Sequence, residues 1–265
     1  MSFTRLAALG VVFLLPYGNK LLQQTSPAWQ PSPQAPAIVQ DMASATGWNA
    51  VNLPADAQAI GILTIEDGSS PETFPVTLSA KGCRLFRSDV QFSDGIHSTI
   101  VNQDSAAAIT PATTQVLPSF SALSINSFEV PFFCLPSVLA AANLSFAGTE
   151  SVAGQSAYRI EINPIVSSTD PLVGSRQTAG ELTLWISTAS GMPVQLRSRL
   201  VAPYSAAVSV DVLRVFSDFR VVSGIAVPFQ QQQFTQGRLR STLRLSSVVF
   251  NMGVPDSAFS IPAPQ

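Results

Sequence analysis

The chain has 265 residues with a formal net charge of -2, and only 11% of the residues are charged. A hydrophobic content of 46% excludes a disordered polar chain and provides ample material for a core. The near balance of 14 Lys and Arg against 16 Asp and Glu argues against nucleic acid as a partner. We therefore expect an ordered domain of a size that all-β barrels commonly reach.

The N-terminal segment has the pattern of an export signal. Arg5 precedes an unbroken apolar run at residues 6–15, which is too short for a membrane-spanning helix. We predict a signal peptide or N-terminal anchor over 1–24, followed by a Pro-, Ser- and Gln-rich tether over 25–37. A buried N-terminal helix is the alternative. The rest, 38–265, is expected to form a single exported domain.

The predicted elements of the N-terminal half begin with a short amphipathic helix at 37–47. From about residue 58 the hydrophobic period changes to two, which indicates successive hairpins. The predicted strands are 58–66, 72–80, 83–91 and 96–103. An irregular region is then expected at 111–146, including a Phe-rich segment at 117–135 and a helix at 135–144.

Beyond Gly148 the alternation is stronger and predicts long antiparallel strands. They are expected at 156–163, 181–187, 194–200, 208–212 and 239–249. Five arginines fall on the polar faces of two of these strands, and they are Arg197, Arg199, Arg238, Arg240 and Arg244. The opposite face is expected to be almost wholly apolar and to cover a core or a cavity.

Patterns of catalytic or metal-binding residues are not found. His97 is the only histidine, and we interpret it as an ordinary strand residue rather than a catalytic base. One histidine and two widely separated cysteines do not supply a zinc site, and no Walker loop or G-x-G-x-x-G indicates a nucleotide. We therefore predict no catalytic residue, no metal and no cofactor. A hydrolase with dispersed carboxylates is a weaker alternative.

The two cysteines, Cys83 and Cys134, leave two alternatives open. In an oxidising compartment they could form a disulfide that closes a loop of roughly 50 residues, worth about 4 kcal/mol in the chain-entropy model. The alternative is a pair of buried free thiols.

Two further features point to interactions. The five arginines could form a basic patch for a protein partner or acidic head groups if their strands are neighbours, and a solvated outer face is the alternative. The Phe-rich segment 117–135 could close over a hydrophobic cavity, or it could be a packed core loop.

Three stretches in the C-terminal half carry motifs of strand ends and turns. They are Leu184-Trp185-Ile186-Ser187 with Ser190-Gly191-Met192-Pro193-Val194, residues 220–228 with Gly224 and Val227-Pro228, and residues 251–262 with Pro255-Asp256-Ser257-Ala258-Phe259. Together they resemble the periplasmic lipoprotein-carrier superfamily, the Lol-type carriers and their relatives. The resemblance covers roughly residues 148–262. Ser187 stands where the family usually has Asp.

The resemblance implies a mainly β (α+β) fold, a curved antiparallel half-barrel with a few lid helices on the concave face. Family members hold acyl chains on that face. We therefore predict an exported, non-enzymatic protein, periplasmic or secreted from a bacterial cell, that binds a lipid or a lipoprotein acyl chain in a lidded cavity. The residues expected to line it are Leu182, Leu184, Ile186, Leu196, Leu243 and Leu245 from the sheet, with Phe128, Phe132 and Phe133 from the lid.

A rival interpretation keeps the half-barrel but fills its interior. The protein would then be a structural or interaction module of the cell envelope, binding an envelope protein through its Arg-bearing face. Peripheral contact with a membrane is compatible with either interpretation.

Overall fold

The computed structural model describes residues 34–48, 53–66, 70–119, 131–170, 180–202 and 205–263, without the side chains of 132–134 and 201–207. The predicted signal at 1–24 and most of the predicted tether therefore lie outside the described residues. Within the described ranges, no helix is long and apolar enough to cross a membrane.

The described residues include two α-helices, a 3₁₀ helix at Asp256–Phe259 and thirteen strands. Helix α1 is Gln34–Thr46 and helix α2 is Pro131–Ala140. The strands before α2 are β1 Ala57–Ile65, β2 Glu72–Lys81, β3 Leu85–Phe92, β4 Gly95–Asn102, β5 Ser105–Thr110 and β6 Thr113–Leu117. Those after it are β7 Ala142–Val152, β8 Gln155–Pro164, β9 Leu182–Ser187, β10 Pro193–Ala202, β11 Ser205–Val222, β12 Ile225–Thr235 and β13 Arg238–Phe250.

All thirteen strands belong to one antiparallel sheet with the order β6-β5-β4-β3-β2-β1-β13-β12-β11-β10-β9-β8-β7. Two meanders, β1–β6 and β7–β13, join where β1 pairs with β13, from Ala57 opposite Phe250 to Ile65 opposite Ser241. Strands β6 and β7 are consequently the two edges, and the segment between them, which contains α2, has to connect opposite edges of the sheet.

The sheet is open and curved, so the predicted half-barrel is confirmed. Alternate residues of each strand point to one face, and their apolar members form one buried cluster that runs across the sheet from β6 to β8. Met42 of α1 and Leu135 of α2 belong to the same cluster. The helices therefore cover the concave face, as predicted.

Helix α1 is attached to the sheet through the residues that follow it. Gly47 has a φ of 72°, and a Cβ there would lie 2.3 Å from the carbonyl oxygen of Gly224. The buried indole of Trp48 then donates a 2.8 Å hydrogen bond from Nε1 to the carbonyl oxygen of Ala226. Glycine is required at this turn because a side chain would both strain the backbone and collide with the sheet.

The C-terminal motif fastens the chain end to the start of β1. The Asp56 carboxylate, 3% exposed, accepts backbone hydrogen bonds from Met252, Gly253 and Val254 at 2.7, 3.1 and 3.2 Å. The ring of Phe259 is fully buried. These contacts show that the residues resembling the family's closing motif have a structural role.

A smaller apolar cluster lies on the convex face. It joins Trp185 to Val152, Ala157 and Val194, and the guanidinium of Arg197 lies 5.9 Å from the centre of the Trp185 ring. All six residues of β9 are buried. The face of β9 that was expected to be polar is therefore covered as well.

Three predictions for the middle of the chain were wrong. The irregular region expected at 111–146 contains all of β6 and the start of β7, and residues 142–144 of the expected helix belong to β7. Strand β5 was not predicted because its Ala106, Ala107 and Ala108 have weak strand propensity. Tertiary pairing with β4 and β6 decides their conformation.

Candidate ligand-binding face

The six sheet residues predicted to line a cavity all lie in the main buried cluster on the concave face. They fall into two groups. Leu182, Leu184, Ile186 and Leu196 lie on β9 and β10, whereas Leu243 and Leu245 lie on β13. Within the first group, Leu184 is paired with Leu196 across the two strands. Contact of these six residues with a ligand stays a prediction.

The structure describes only part of the predicted lid. Phe128 lies outside the described residues, and Phe132 and Phe133 belong to α2 but their side chains are not described. Two other residues of α2, Leu135 and Leu139, are buried in the main cluster. Helix α2 thus packs its described apolar side chains against the sheet.

A band of buried polar side chains separates the two apolar groups. On β11, Arg214 is paired with Leu196 of β10 on one side and with Gln233 of β12 on the other. Gln233 is in turn paired with Ser241 of β13. The expectation of an almost wholly apolar face is therefore wrong where β10, β11, β12 and β13 meet.

These polar groups are deeply buried. Arg214 and Gln233 are each 7% exposed, and Thr235 is 1% exposed. Arg214 donates from Nη1 to the hydroxyl oxygen of Ser198 at 3.2 Å. Gln233 Nε2 and Thr235 Oγ1 have no hydrogen-bond partner among the described residues. Buried polar atoms are almost always satisfied, so these two atoms need an explanation.

The sequence contains a signal for this band that was missed. Strand β12 begins with buried apolar residues, and Gln231 and Gln233 continue the inward-facing alternation of Val227 and Phe229. The run of four glutamines was not interpreted as a strand because glutamine has no strong strand preference. Arg214 was missed because the predicted strand ended at residue 212.

The predicted basic patch is not formed as expected, because β10 and β13 are separated by β11 and β12. On β10, Arg199 lies 3.1 Å from a Glu181 carboxylate oxygen and 3.4 Å from one of Asp211. Arg197 donates to Thr183 Oγ1 at 2.7 Å. On β13, Arg238 is exposed and Arg240 is half-buried, and the Arg244 guanidinium donates to the Gln230 side chain at 3.2 Å. The five arginines therefore lie in two separate groups, and acidic side chains offset the charge of Arg199.

His97 lies on β4 and is 8% exposed. Its Nε2 lies 3.0 Å from the Asp94 carboxylate, and its ring centre lies 4.4 Å from that of Phe92. It thus takes part in a strand-end contact. Among the described residues, no three His, Cys, Asp or Glu side chains come together in the way that metal ligands do.

Cys83 follows β2, packs against the main cluster and is disulfide-bonded. The chain has one other cysteine, Cys134, which belongs to α2 and whose side chain is not described. Pairing of Cys83 with Cys134 stays a prediction, and it would tie α2 to the N-terminal meander.

Ser187 accepts the hydrogen bonds of the turn that follows β9. Its hydroxyl oxygen accepts a 3.3 Å hydrogen bond from the backbone of Ser190, and its carbonyl accepts one from Gly191 at 3.0 Å. A short polar side chain at the first position of a turn commonly accepts such a bond. Serine therefore serves as the acceptor at the position where the family usually has Asp.

Comparison with known proteins identifies the fold. No protein-family model matches the chain, and no curated protein matches it. Among solved structures, a domain from Vibrio parahaemolyticus named for outer membrane lipoprotein sorting aligns with a TM-score of 0.57 at 13% identity, covering 86% of this chain and 96% of that one.

Two other solved structures align over similar lengths. A DUF1329 family protein from Desulfovibrio piger has a TM-score of 0.57 at 13% identity, covering 84% of this chain and 97% of its own. A LolA superfamily protein from Nitrosomonas europaea has a TM-score of 0.54 at 12% identity, covering 85% and 97%.

The open curved sheet with helices on its concave face is thus a half-barrel, the fold that these three solved structures share with this chain. At 12–13% identity the likeness shows the fold alone, and one of the structures that share this fold is a LolA superfamily protein. The resemblance inferred from the three C-terminal motifs is therefore confirmed for the fold.

Proposed function

We propose that this protein is an exported carrier or binding protein for a lipid or a lipoprotein acyl chain, held between the concave face and the helices. The observation that carries the proposal is the buried, mainly apolar face that runs across the sheet from β6 to β8 under α1 and α2. The fold shared with a domain named for outer membrane lipoprotein sorting and with a LolA superfamily protein supports it.

Burial of hydrocarbon supplies the binding free energy in this proposal. Each CH₂ group moved from water to an apolar surface contributes about 0.8 kcal/mol, so an acyl chain needs no dedicated catalytic or metal site. The protein is accordingly proposed to be non-enzymatic. Leu184, Leu196 and Leu243 are the sheet residues that we expect to contact the chain.

The rival function is an envelope interaction module that uses the convex face. Exposed Ile60 and Ile62 on β1, with the neighbouring Val249 on β13, provide apolar surface there. The separation of the five arginines into two groups weakens the original basis for that alternative.

Native mass spectrometry of the full chain, purified without detergent, tests the proposal. We expect co-purifying lipid masses, or uptake of a fluorescent fatty acid by the stripped protein. A bare mass together with no uptake would overturn the carrier function and favour the interaction module.

A matched pair of variants tests the position of the site. Leu184→Trp adds volume at a fully buried position of the concave face, whereas Val221→Trp adds the same ring at a position that is 75% exposed. We expect reduced fatty-acid uptake only in Leu184→Trp, with circular dichroism confirming the fold of both. If Leu184→Trp does not fold, Leu196→Phe replaces it. Equal uptake by the concave-face and surface variants would show that the assigned face is wrong.

A further inference from the structure

The concave face contains a group of hydrogen-bond donors that a pure hydrocarbon ligand would not use. We define the donor cluster as Arg214 on β11 with Gln233 and Thr235 on β12. All three side chains are more than nine-tenths buried.

Strand register places these three residues on one patch of the inner face. Gln233 is the direct cross-strand partner of Arg214, and Thr235 is the partner of Val212, two residues before Arg214. Directly paired side chains in an antiparallel sheet have Cβ atoms about 5 Å apart, and residues two apart on a strand share a face. The three polar groups are therefore within reach of one small head group.

The direction of the guanidinium supports this arrangement. Arg214 Nη1 reaches Ser198 Oγ at 3.2 Å, and Ser198 is paired with Val212 across β10 and β11. The guanidinium therefore extends toward the neighbouring cross-strand pair of Val212 and Thr235. Thr235 and the adjacent cross-strand pair of Arg214 and Gln233 together form the donor cluster.

Two atoms of the cluster lack a partner among the described residues. They are the amide nitrogen Nε2 of Gln233, which is a donor, and the hydroxyl Oγ1 of Thr235, which can donate. A buried donor without an acceptor costs free energy, so such groups in native proteins commonly meet a ligand, an ion or a water molecule. Both atoms lie on the face where the proposed function places the ligand.

We propose that the donor cluster binds the anionic head group, a carboxylate or a phosphate, of an acyl lipid held on the concave face. This inference rests on the proposed lipid-binding function and specifies its ligand class. A planar guanidinium matches the geometry of a carboxylate or a phosphate, and the amide and the hydroxyl supply further donors.

Apolar residues that could contact an acyl chain lie on both sides of the donor cluster. Leu196 and Leu184 continue from Arg214 toward β9, whereas Leu243 lies on β13 beyond the glutamine side chains. A lipid whose head group occupies the cluster therefore has apolar surface on either side. Neutral ligands of the same chain length would leave Gln233 Nε2 and Thr235 Oγ1 without acceptors and bind less tightly.

Competition binding with three probes of equal chain length tests the inference. Palmitate carries a carboxylate, palmitoyl lysophosphatidic acid carries a phosphate, and methyl palmitate carries no charge. On the full chain we expect at least one anionic probe to bind about tenfold or more tightly than methyl palmitate, as expected for charge-assisted hydrogen bonds in a desolvated site. The comparison of palmitate with lysophosphatidic acid identifies the source of the anionic group.

Near-isosteric variants then assign the effect to the cluster. Thr235→Val and Gln233→Leu remove the two unpartnered polar groups, and Gln232→Leu changes a neighbouring glutamine on the outer face of the same strand. We expect the preference for the anionic probe to fall in the first two variants, each of which loses one donor but keeps Arg214, and to persist unchanged in Gln232→Leu. Binding of methyl palmitate should remain in all three. Thr235→Val preserves side-chain shape and keeps the test available if Gln233→Leu fails to fold.

The outcomes separate this inference from the proposed function. Equal affinity of the unchanged protein for all three probes would overturn the head-group site and leave the carrier function in place. A preference that survives undiminished in both Thr235→Val and Gln233→Leu would also overturn it. Absence of binding by every probe, with a bare mass, would overturn the carrier function itself.

Discussion

Replacing Asp56 with alanine tests whether the C-terminal segment is held by a single buried carboxylate. Asp56 is 3% exposed and accepts hydrogen bonds from the backbone nitrogens of Met252, Gly253 and Val254. Alanine removes the acceptor for all three donors at once. We expect the chain end to detach from the start of β1 at a lower denaturant concentration than in the unchanged protein.

The magnitude follows from the three contacts. A hydrogen bond to a charged group contributes about 1.5–3 kcal/mol, but part of this is recovered because donors freed near the surface regain water. We therefore expect Asp56→Ala to lower the free energy of unfolding by about 3–5 kcal/mol. Domains are commonly stable by only about 5–15 kcal/mol, so this is a large fraction of the total. Asp56→Asn keeps one acceptor oxygen and should lose about half as much.

Urea unfolding followed by circular dichroism measures the change, with Asp256→Ala as the control. Asp256 belongs to the same C-terminal segment, but its ion pair with Lys81 is largely in solvent, with side chains 78% and 38% exposed. Its loss should cost less than about 1 kcal/mol. If Asp56→Ala and Asp256→Ala have the same unfolding midpoint, the buried carboxylate does not hold the segment and the reasoning is wrong.

Two further predictions concern α1 and the end of β11. Trp48→Phe removes the indole donor to the carbonyl oxygen of Ala226 and should lower the free energy of unfolding by about 1–3 kcal/mol in urea unfolding; an unchanged midpoint would contradict the assigned contact. The hydrogen bond from Arg220 holds the pKa of the Asp218 carboxyl below its usual range, so in Arg220→Gln an NMR titration should show that pKa rising. Because the folded-state pKa is lowered, the contact stabilises the fold above the ordinary pKa of aspartate and ceases to do so as pH falls through the lowered value. An Asp218 titration that is the same with and without the guanidinium would rule out this cause.

Most strands could be predicted because their pattern is local. Leu182, Leu184 and Ile186 alternate with other residues, and a period of two places all three on one face wherever the strand lies in the sheet. The same argument held for the hairpins from β1 to β4. It failed for β5, whose alanines carry no clear alternation, for β6 and β7, and for β12, whose second half is rich in glutamine.

The candidate site was predictable only in its apolar part. Side-chain hydrophobicity placed Leu196 and Leu243 on the inner face, and both are buried there. The polar part could not be predicted, because residue type alone does not indicate that these polar side chains are buried. Arg214 and Gln233 are residue types usually found in solvent, and they are buried because the register turns both side chains to the covered inner face.

The sequence by itself determined the antiparallel half-barrel, the inward direction of its leucines and the structural use of the C-terminal motif, because each depends on neighbouring residues or on a motif. Only the tertiary structure decided the strand order, in which β1 pairs with β13 and two strands separate β10 from β13. That order divided the arginines of the outer face and brought Arg214 beside Gln233 on the inner one. The physical reason is that the period of a strand is set by bonded neighbours, whereas strand order is set by hydrogen bonds between segments far apart in the chain.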